Sequence, residues 1–282
     1  MTTLKEALKG KLTKKQISLA PTSFDVVGSK GKAVALVEIK DELKSKEKMI
    51  GEAILKICKP VKSVLKKVSE RKGVFRLKNF KLIAGDRNTE VFHKEHGCLF
   101  KLDPKKVYFS PRESTERLRI ASLVKPQENV LVMFSGVSPF SIVLAKKQPK
   151  VDKVYSIEIN PEAHKYALEN VRLNKLEGKV IPLLGDVKKY FPRFRNKFDR
   201  IIMPLPKGAY EFLGLAIKML KDKGWIHFYY WSREPNLFEE GGKIVKRIAK
   251  EKKRKIRVMN KKKVLPYGPR TYKIVFDLRL RK

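Results

Sequence analysis

Cysteine is nearly absent from this chain. Cys58 and Cys98 stand far apart, with no CxxC pair and no histidine cluster beside either. That argues against a disulfide framework and a thiolate metal site, so no metal is expected, and it fits a reducing intracellular compartment. Long apolar runs are missing too: none approaches the ~18 residues of a membrane span, and the opening MTTLKEALKGKLTKKQ lacks the apolar core of a secretory leader. A soluble, cytoplasmic protein with no membrane partner is expected. Acid is also scarce. Only 29 Asp and Glu face 66 Lys and Arg, a formal net charge of +37 with the basic residues spread along the whole chain. Such a balance implies a polyanionic partner, RNA or DNA, although lysines on solvated helix faces account for part of the excess. With 42% hydrophobic residues the chain is not disordered, and 282 residues suffice for one large or two modest domains.

Residues 1 to about 95 read as mixed helix and strand. KAVALVEI is a strand. Asp41 to Val68 has helical spacing, with Met49, Ile50, Ala53, Ile54 and Ile57 on one face, an interruption at Pro60, and a resumption at Val61, Val64, Leu65 and Val68. FRLKNFKLIAG and TEVFHKEHGCLFKLD read as strands, the latter a hairpin turning at His96-Gly97. From about Tyr108 strands alternate with helices: NVLVMF, KVYSIEI, KVIPLLG, FDRIIMPLP, GWIHFYYW and TYKIVFDLRL are strands, with helices at Pro161 to Leu173 and Gly208 to Leu220. Asn160 is an N-cap, Pro161 a first helical residue, and Ala163, Ala167 and Val171 a buried stripe. No good helix is expected between Trp225 and the basic segment Lys252 to Lys263. The pattern is that of a doubly wound α/β sheet closed by a terminal strand pair.

The most informative stretch runs from Val130 to Asn160. VLVMFSGVSPFSI takes an apolar strand through a small-residue turn at Ser135 and Gly136 into a helix, and about 20 residues on a second strand, VYSIE, ends on Glu158. A turn of that kind lets backbone approach a ligand, and a carboxylate at the next strand tip can accept from both hydroxyls of a ribose. A dinucleotide fingerprint would need GxGxxG, whereas Gly136 is followed by Val137, Ser138 and Pro139. At the following strand end, LLGDV places Asp186 where it can accept from an adenine amino group, and the next strand ends in MPLPK, Met203 to Lys207. Ligands of doubly wound folds lie outside the carboxyl ends of the strands, so these tips surround one nucleotide-bearing cofactor. A second segment, YFSPRESTERLR, opens a helix at Ser110-Pro111 and brings Glu116 near Arg112, Arg117 and Arg119. Its alternative reading is a basic amphipathic helix steadied by charge pairs.

Taken in order, VYFSPRESTERLRIASLV, MFSGVSPFSI, YSIEINPEAHKYALENVRLNKL, IPLLGDV, DRIIMPLPKGAYEFL and YGPRTYKIVFDL resemble the catalytic domain of the archaeal and eukaryotic tRNA guanine-37 N1-methyltransferases. The basic N-terminal part, through IGEAILKI and FRLKNFKLIAG, resembles the family's middle domain, which packs beside the anticodon stem-loop. The resemblance covers nearly the whole chain, in a short form without the extra N-terminal domain of longer archaeal members. It implies a Rossmann-like, S-adenosylmethionine-dependent class I methyltransferase domain over 101–282, preceded by a small α+β RNA-binding domain over 1–100. It also implies a monomer acting on tRNA.

Residue by residue, the resemblance makes Glu116 the base that removes the N1 proton and Arg76 the arginine that steadies O6. Tyr108, Phe134, Ser135, Gly136, Glu158, Ile159, Asp186 and Val187 become cofactor contacts, with Glu158 standing where the family has Asp. Arg112, Pro204, Pro206, Lys207 and Arg270 fall on the substrate side. Two positions depart from the family pattern: Val132 replaces an Asp before the MFSG turn, and Pro204 replaces the Asn of an NLP loop. These departures keep open a wyosine-pathway reading, either methylation of a tricyclic guanosine or aminocarboxypropyl transfer at position 37. The loss of the carboxylate at Val132 keeps open a non-catalytic RNA-binding homologue. Guanine N1 is protonated at neutral pH, so methylation there needs a base for the proton and a cation for the charge that spreads to O6. The target base must leave the anticodon-loop stack to be reached.

Overall fold

A computed structural model describes residues 2–29, 31–68 and 79–281, and its contacts separate two compact units, Met1–Pro111 and Arg112–Lys282. In the first, the short helices α1 (Leu4–Ala7) and α2 (Lys14–Leu19) each begin on a capping box, where Thr3 and Thr13 accept from the third helical N–H and Glu6 and Gln16 reach back. Strands β1 (Asp25–Ser29) and β2 (Lys32–Val37) are antiparallel. Helix α3 (Glu47–Ile57) then crosses over to β3 (Val61–Lys67), which runs parallel to β2 and antiparallel to β4 (Phe80–Gly85). Ile50, Ala53 and Ile54 of α3 pack into a core with Ala33, Ala35, Val61 and Val64.

The segment after Pro60 is therefore a strand and not a continuation of the helix. An apolar run this short fits both periods, and pairing along both edges decided for β3. The hairpin β5 (Val91–Glu95) and β6 (Cys98–Leu102) turns through His96 and Gly97 at φ 47 and 75, a turn whose twist suits a two-residue hairpin. Its β5 strand joins the same unit, with Gly28 N donating to His93 Nδ1 at 3.2 Å. By its contacts this unit extends to Pro111.

In the second unit, α4 (Ser114–Leu123) precedes β7 (Asn129–Met133), followed by α5 (Pro139–Lys147), β8 (Lys153–Glu158), α6 (Pro161–Leu173), β9 (Val180–Leu184), α7 (Val187–Phe194), β10 (Phe198–Met203), α8 (Tyr210–Met219), β11 (Leu220–Arg233), α9 (Glu239–Glu251), β12 (Ile256–Gly268) and β13 (Thr271–Leu280). The sheet order is β12-β13-β11-β10-β7-β8-β9, parallel from β11 to β9, with β13 and β12 antiparallel at one edge. This is a Rossmann-like sheet whose strand order reverses between β7 and β10, the place where such folds bind ligands. Val130 to Met133 is buried on both faces, as a central parallel strand requires. Asn160 caps α6 by accepting from Glu162 N at 3.0 Å, and Ala163, Ala167 and Val171 form its buried stripe.

Helix α9 corrects the expectation that no helix separates β11 from the basic segment. Gly241 and Gly242 lie within this helix, and a Cβ on Gly241 would stand 2.6 Å from Phe276 Cε2, so the glycine is what lets α9 lie close on β13.

Candidate active site

Three strand ends meet at one carboxylate. After β7 the chain turns through Phe134, Gly136 and Ser138, all at positive φ (56, 56 and 64), before Pro139 starts α5. Glu158, at the tip of β8, is buried. Its Oε2 accepts from Gly136 N at 2.7 Å, its Oε1 from Asn160 N at 2.8 Å, and its carbonyl from Gly185 N at 2.8 Å. The residue therefore ties the β7 turn, the start of α6 and the loop after β9 together. Burial pushes its carboxyl pKa up, against the pull of the backbone N–H donors of Asn160, Gly136 and Ile159.

An ionised carboxylate offers about four acceptor positions, so the three backbone donors leave room for a ligand hydroxyl. Beside it, Ser135 Oγ and Ser138 Oγ are buried without a partner among the described residues. A carboxylate with acceptor capacity left and two unpartnered hydroxyls suit a ribose-bearing ligand. Asp186 caps α7 through Lys188 N at 2.8 Å, and Val187 is buried behind it. Phe134 packs edge-on against Phe212, ring centroids 5.0 Å apart.

On the α4 face of the same sheet lies a buried chain of ionic groups. Glu116 is 5% exposed and does not sit on a helix surface. Its Oε1 accepts from the Tyr229 hydroxyl at 2.5 Å and from Arg119 Nη2 at 2.7 Å, and its Oε2 accepts from Arg119 Nε at 2.8 Å. Arg119 Nη1 also donates to Asp277 Oδ2 at 2.8 Å. Asp277 Oδ1 lies 2.6 Å from His227 Nδ1, and His227 Nε2 lies 2.7 Å from Arg200 Nη1. A guanidinium can only donate, so Nε2 is the acceptor, Nδ1 carries the proton to Asp277, and the ring is neutral. Burial and the Arg200 charge lower the His227 pKa, which agrees, although Asp277 pulls the other way. Arg200 closes the chain on Glu128 at 2.7 Å, while Lys273, 2% exposed, pairs with Glu113 at 2.9 Å.

Burial opposes the charge on Arg119 and on Asp277, but their mutual bonds, with Glu116 and His227, outweigh it and hold both ionised. Register fixes the height of this cluster. Phe228 pairs with Met203, Ile202 pairs with Val132, and Met133 pairs with Ile157, so Tyr229 stands at the same level of the sheet as Phe134 and Glu158.

The other expected residues are dispersed. Pro204, Pro206 and Lys207 form the loop after β10, with Pro206 buried and Lys207 exposed. Arg112 is exposed just before α4, and Arg270 is exposed at the β12–β13 turn. Tyr108, 41% exposed, belongs to the first unit, and Arg76 lies outside the described residues. Val132 is fully buried within β7.

Residues 91–259 match the TRM5/TYW2 methyltransferase domain, and residues 4–89 match the TYW2 N-terminal domain. The chain belongs to the TRM5/TYW2 family. It is 42% identical over 260 residues to a Pyrococcus abyssi tRNA (guanine(37)-N(1))-methyltransferase Trm5b, covering 92% of this chain and 75% of that protein. The crystal structure of Pyrococcus abyssi Trm5b superposes with a TM-score of 0.86 at 40% identity, covering 96% of this chain and 79% of that one. A complex of aTrm5 with tRNALeu gives a TM-score of 0.85 at 35% identity, covering 99% and 78%. A Methanocaldococcus jannaschii tRNA(Phe) (4-demethylwyosine(37)-C(7)) aminocarboxypropyltransferase is 35% identical over 243 residues, 85% of this chain and 95% of that protein.

In this TRM5/TYW2 chain, the sequence pointed to the strand tips and Glu116, and the structure adds Arg200, His227, Tyr229 and Asp277, to which the sequence did not point. One signal was available: His227 in WIHFYY and Asp277 in VFDL interrupt core strands and face each other in register. Among the described residues, no helix is long and apolar enough to cross a membrane, and no group of three His, Cys, Asp or Glu is placed to hold a metal.

Proposed function

We propose that this protein is a cytoplasmic, monomeric tRNA methyltransferase that moves the methyl group of S-adenosylmethionine to N1 of guanine 37 in the anticodon loop. The observation that carries this reading is that two buried carboxylates are tied to one level of the sheet, Glu158 at the tip of β8 for a ribose and Glu116 of α4, held by Tyr229 of β11, for a proton. The cofactor, when bound, supplies an electrophilic methyl group. Glu158 accepts from the ribose hydroxyls, Asp186 and Val187 face the adenine, and Phe134, Ser135, Gly136 and Ile159 line the turn. Pro204, Pro206, Lys207, Arg112 and Arg270 lie toward the RNA. By the resemblance, Arg76 meets the charge that develops on O6.

Glu116 takes the N1 proton. Arg119 and the Tyr229 hydroxyl hold its two oxygens in a fixed orientation. Once Glu116 is neutralised, Arg119 remains paired with Asp277, so no buried guanidinium is left unpartnered. Glu116→Gln should keep cofactor and tRNA affinity while slowing single-turnover methyl transfer by about 10²–10⁴-fold. Near-normal transfer would remove Glu116 from the role of base.

A second reading is favoured by the match of residues 4–89 to the TYW2 N-terminal domain: wyosine-pathway chemistry at position 37. Mass analysis of tRNA nucleosides after reaction separates the two, because an aminocarboxypropyl group is far heavier than a methyl and a tricyclic acceptor differs from guanosine.

A further inference from the structure

The sheet continues past the level of the two carboxylates. β11 runs on from Tyr229 through Trp231 to Arg233, paired with Thr271, Tyr272 and Lys273 of β13, and the end of β12 lies alongside through Pro266 and Gly268. These three strand ends form a tongue that stands beyond the carboxyl end of β10, whose last paired residue, Met203, lies opposite Phe228. Side chains alternate along a strand, so Trp231 shares a face with Tyr229, about 7 Å farther out. Tyr229 is the residue whose hydroxyl holds Glu116.

Across the tongue, the Trp231 and Tyr267 rings lie 4.2 Å apart at their centroids with 43° between their planes, and Tyr267 is 52% exposed. At this separation the two rings pack against each other, and it is the Tyr267 ring that stays open to solvent. Arg233, Lys263 and Arg270 are exposed on the same strand ends, and Glu234 is engaged by Lys263 at 2.8 Å. Lysines on an edge strand guard against edge pairing, which accounts for the charges but not for an exposed tyrosine packed on a half-buried tryptophan among them.

We propose that this tongue is a stacking platform for an unpaired RNA base, the neighbour of the one presented to Glu116. The inference rests on the reading that Glu116 meets the target guanine. Turning a base out of a loop breaks its stacking with its neighbours, and an aromatic surface one step from the pocket recaptures the exposed neighbour without reading its identity. The basic residues hold the adjoining phosphates.

The test uses the full chain carrying Trp225→Phe, which leaves Trp231 as the single tryptophan of the two present. Titration with a short RNA hairpin bearing an unpaired anticodon-type loop should quench Trp231 emission to saturation. A fully paired RNA of equal length should bind without quenching. Tyr267→Ala should weaken hairpin binding roughly 5- to 100-fold with little change in rate at saturating RNA, and Tyr267→Phe should restore it. Equal quenching by the duplex, or unchanged affinity in Tyr267→Ala, overturns the platform. Methyl transfer without loop-specific quenching would sink the platform alone. Loop-specific quenching with no methyl on guanine N1 would instead sink the assignment of the reaction.

Discussion

Glu158, proposed to hold the cofactor ribose, has a structural task as well. Its two oxygens each accept a backbone N–H, from Gly136 and Asn160, and this fixes the β7 turn before any ligand arrives. Burial raises its pKa, so its contribution to folding is full below the ordinary carboxylate pKa of about 4.3 and is lost as pH rises through the raised value. Cofactor affinity runs the other way, since ribose hydroxyls donate to the ionised form. Calorimetry should therefore show affinity for S-adenosylmethionine falling on acidification at a pH above the ordinary carboxylate range. Glu158→Ala should lose roughly 1.5–3 kcal/mol of binding and flatten that dependence. An affinity unchanged by the substitution would take Glu158 out of the cofactor site.

Among the elements, α9 depends on a single missing methyl. A Cβ at Gly241 would meet Phe276 Cε2 at 2.6 Å and Cζ at 2.9 Å, whereas one at Gly242 would meet nothing within 4 Å. The two adjacent glycines should therefore answer oppositely to the same change. Gly241→Ala should destabilise by about 1–3 kcal/mol through overpacking, partly offset by better helix propensity, and Gly242→Ala should stabilise by up to about 1 kcal/mol. Denaturant melts of the two variants decide it, and equal shifts would mean that α9 does not press on β13 through Gly241.

For the whole molecule, the charge of +37 matters more than any single pair. Exposed lysines and arginines that neutralise several phosphates release the counterions condensed on RNA. tRNA binding should then weaken with a log–log salt slope of about −4 to −8. Filter binding across a salt series measures this directly, and a nearly flat slope would reduce the excess to a compositional habit of solvated helix faces.

Much of the second unit was legible in the sequence because its signals are local. An apolar run such as Val130 to Met133, an Asn-Pro helix start at Asn160 and an acid at the tip of VYSIE each depend on neighbours a few residues away. The β3 strand and α9 were not legible, because an ambiguous apolar run and a glycine pair take their meaning from partners distant in sequence: β2 and β4 for the one, Phe276 for the other. The site divides in the same way. Sequence alone singled out Glu116 and Glu158. The Arg119 neighbour was local too, but only the tertiary structure brought Tyr229 to Glu116 and Asp277 and His227 to Arg119, because hydrogen bonds between residues more than a hundred positions apart, such as Glu116 with Tyr229, follow from strand register and helix packing.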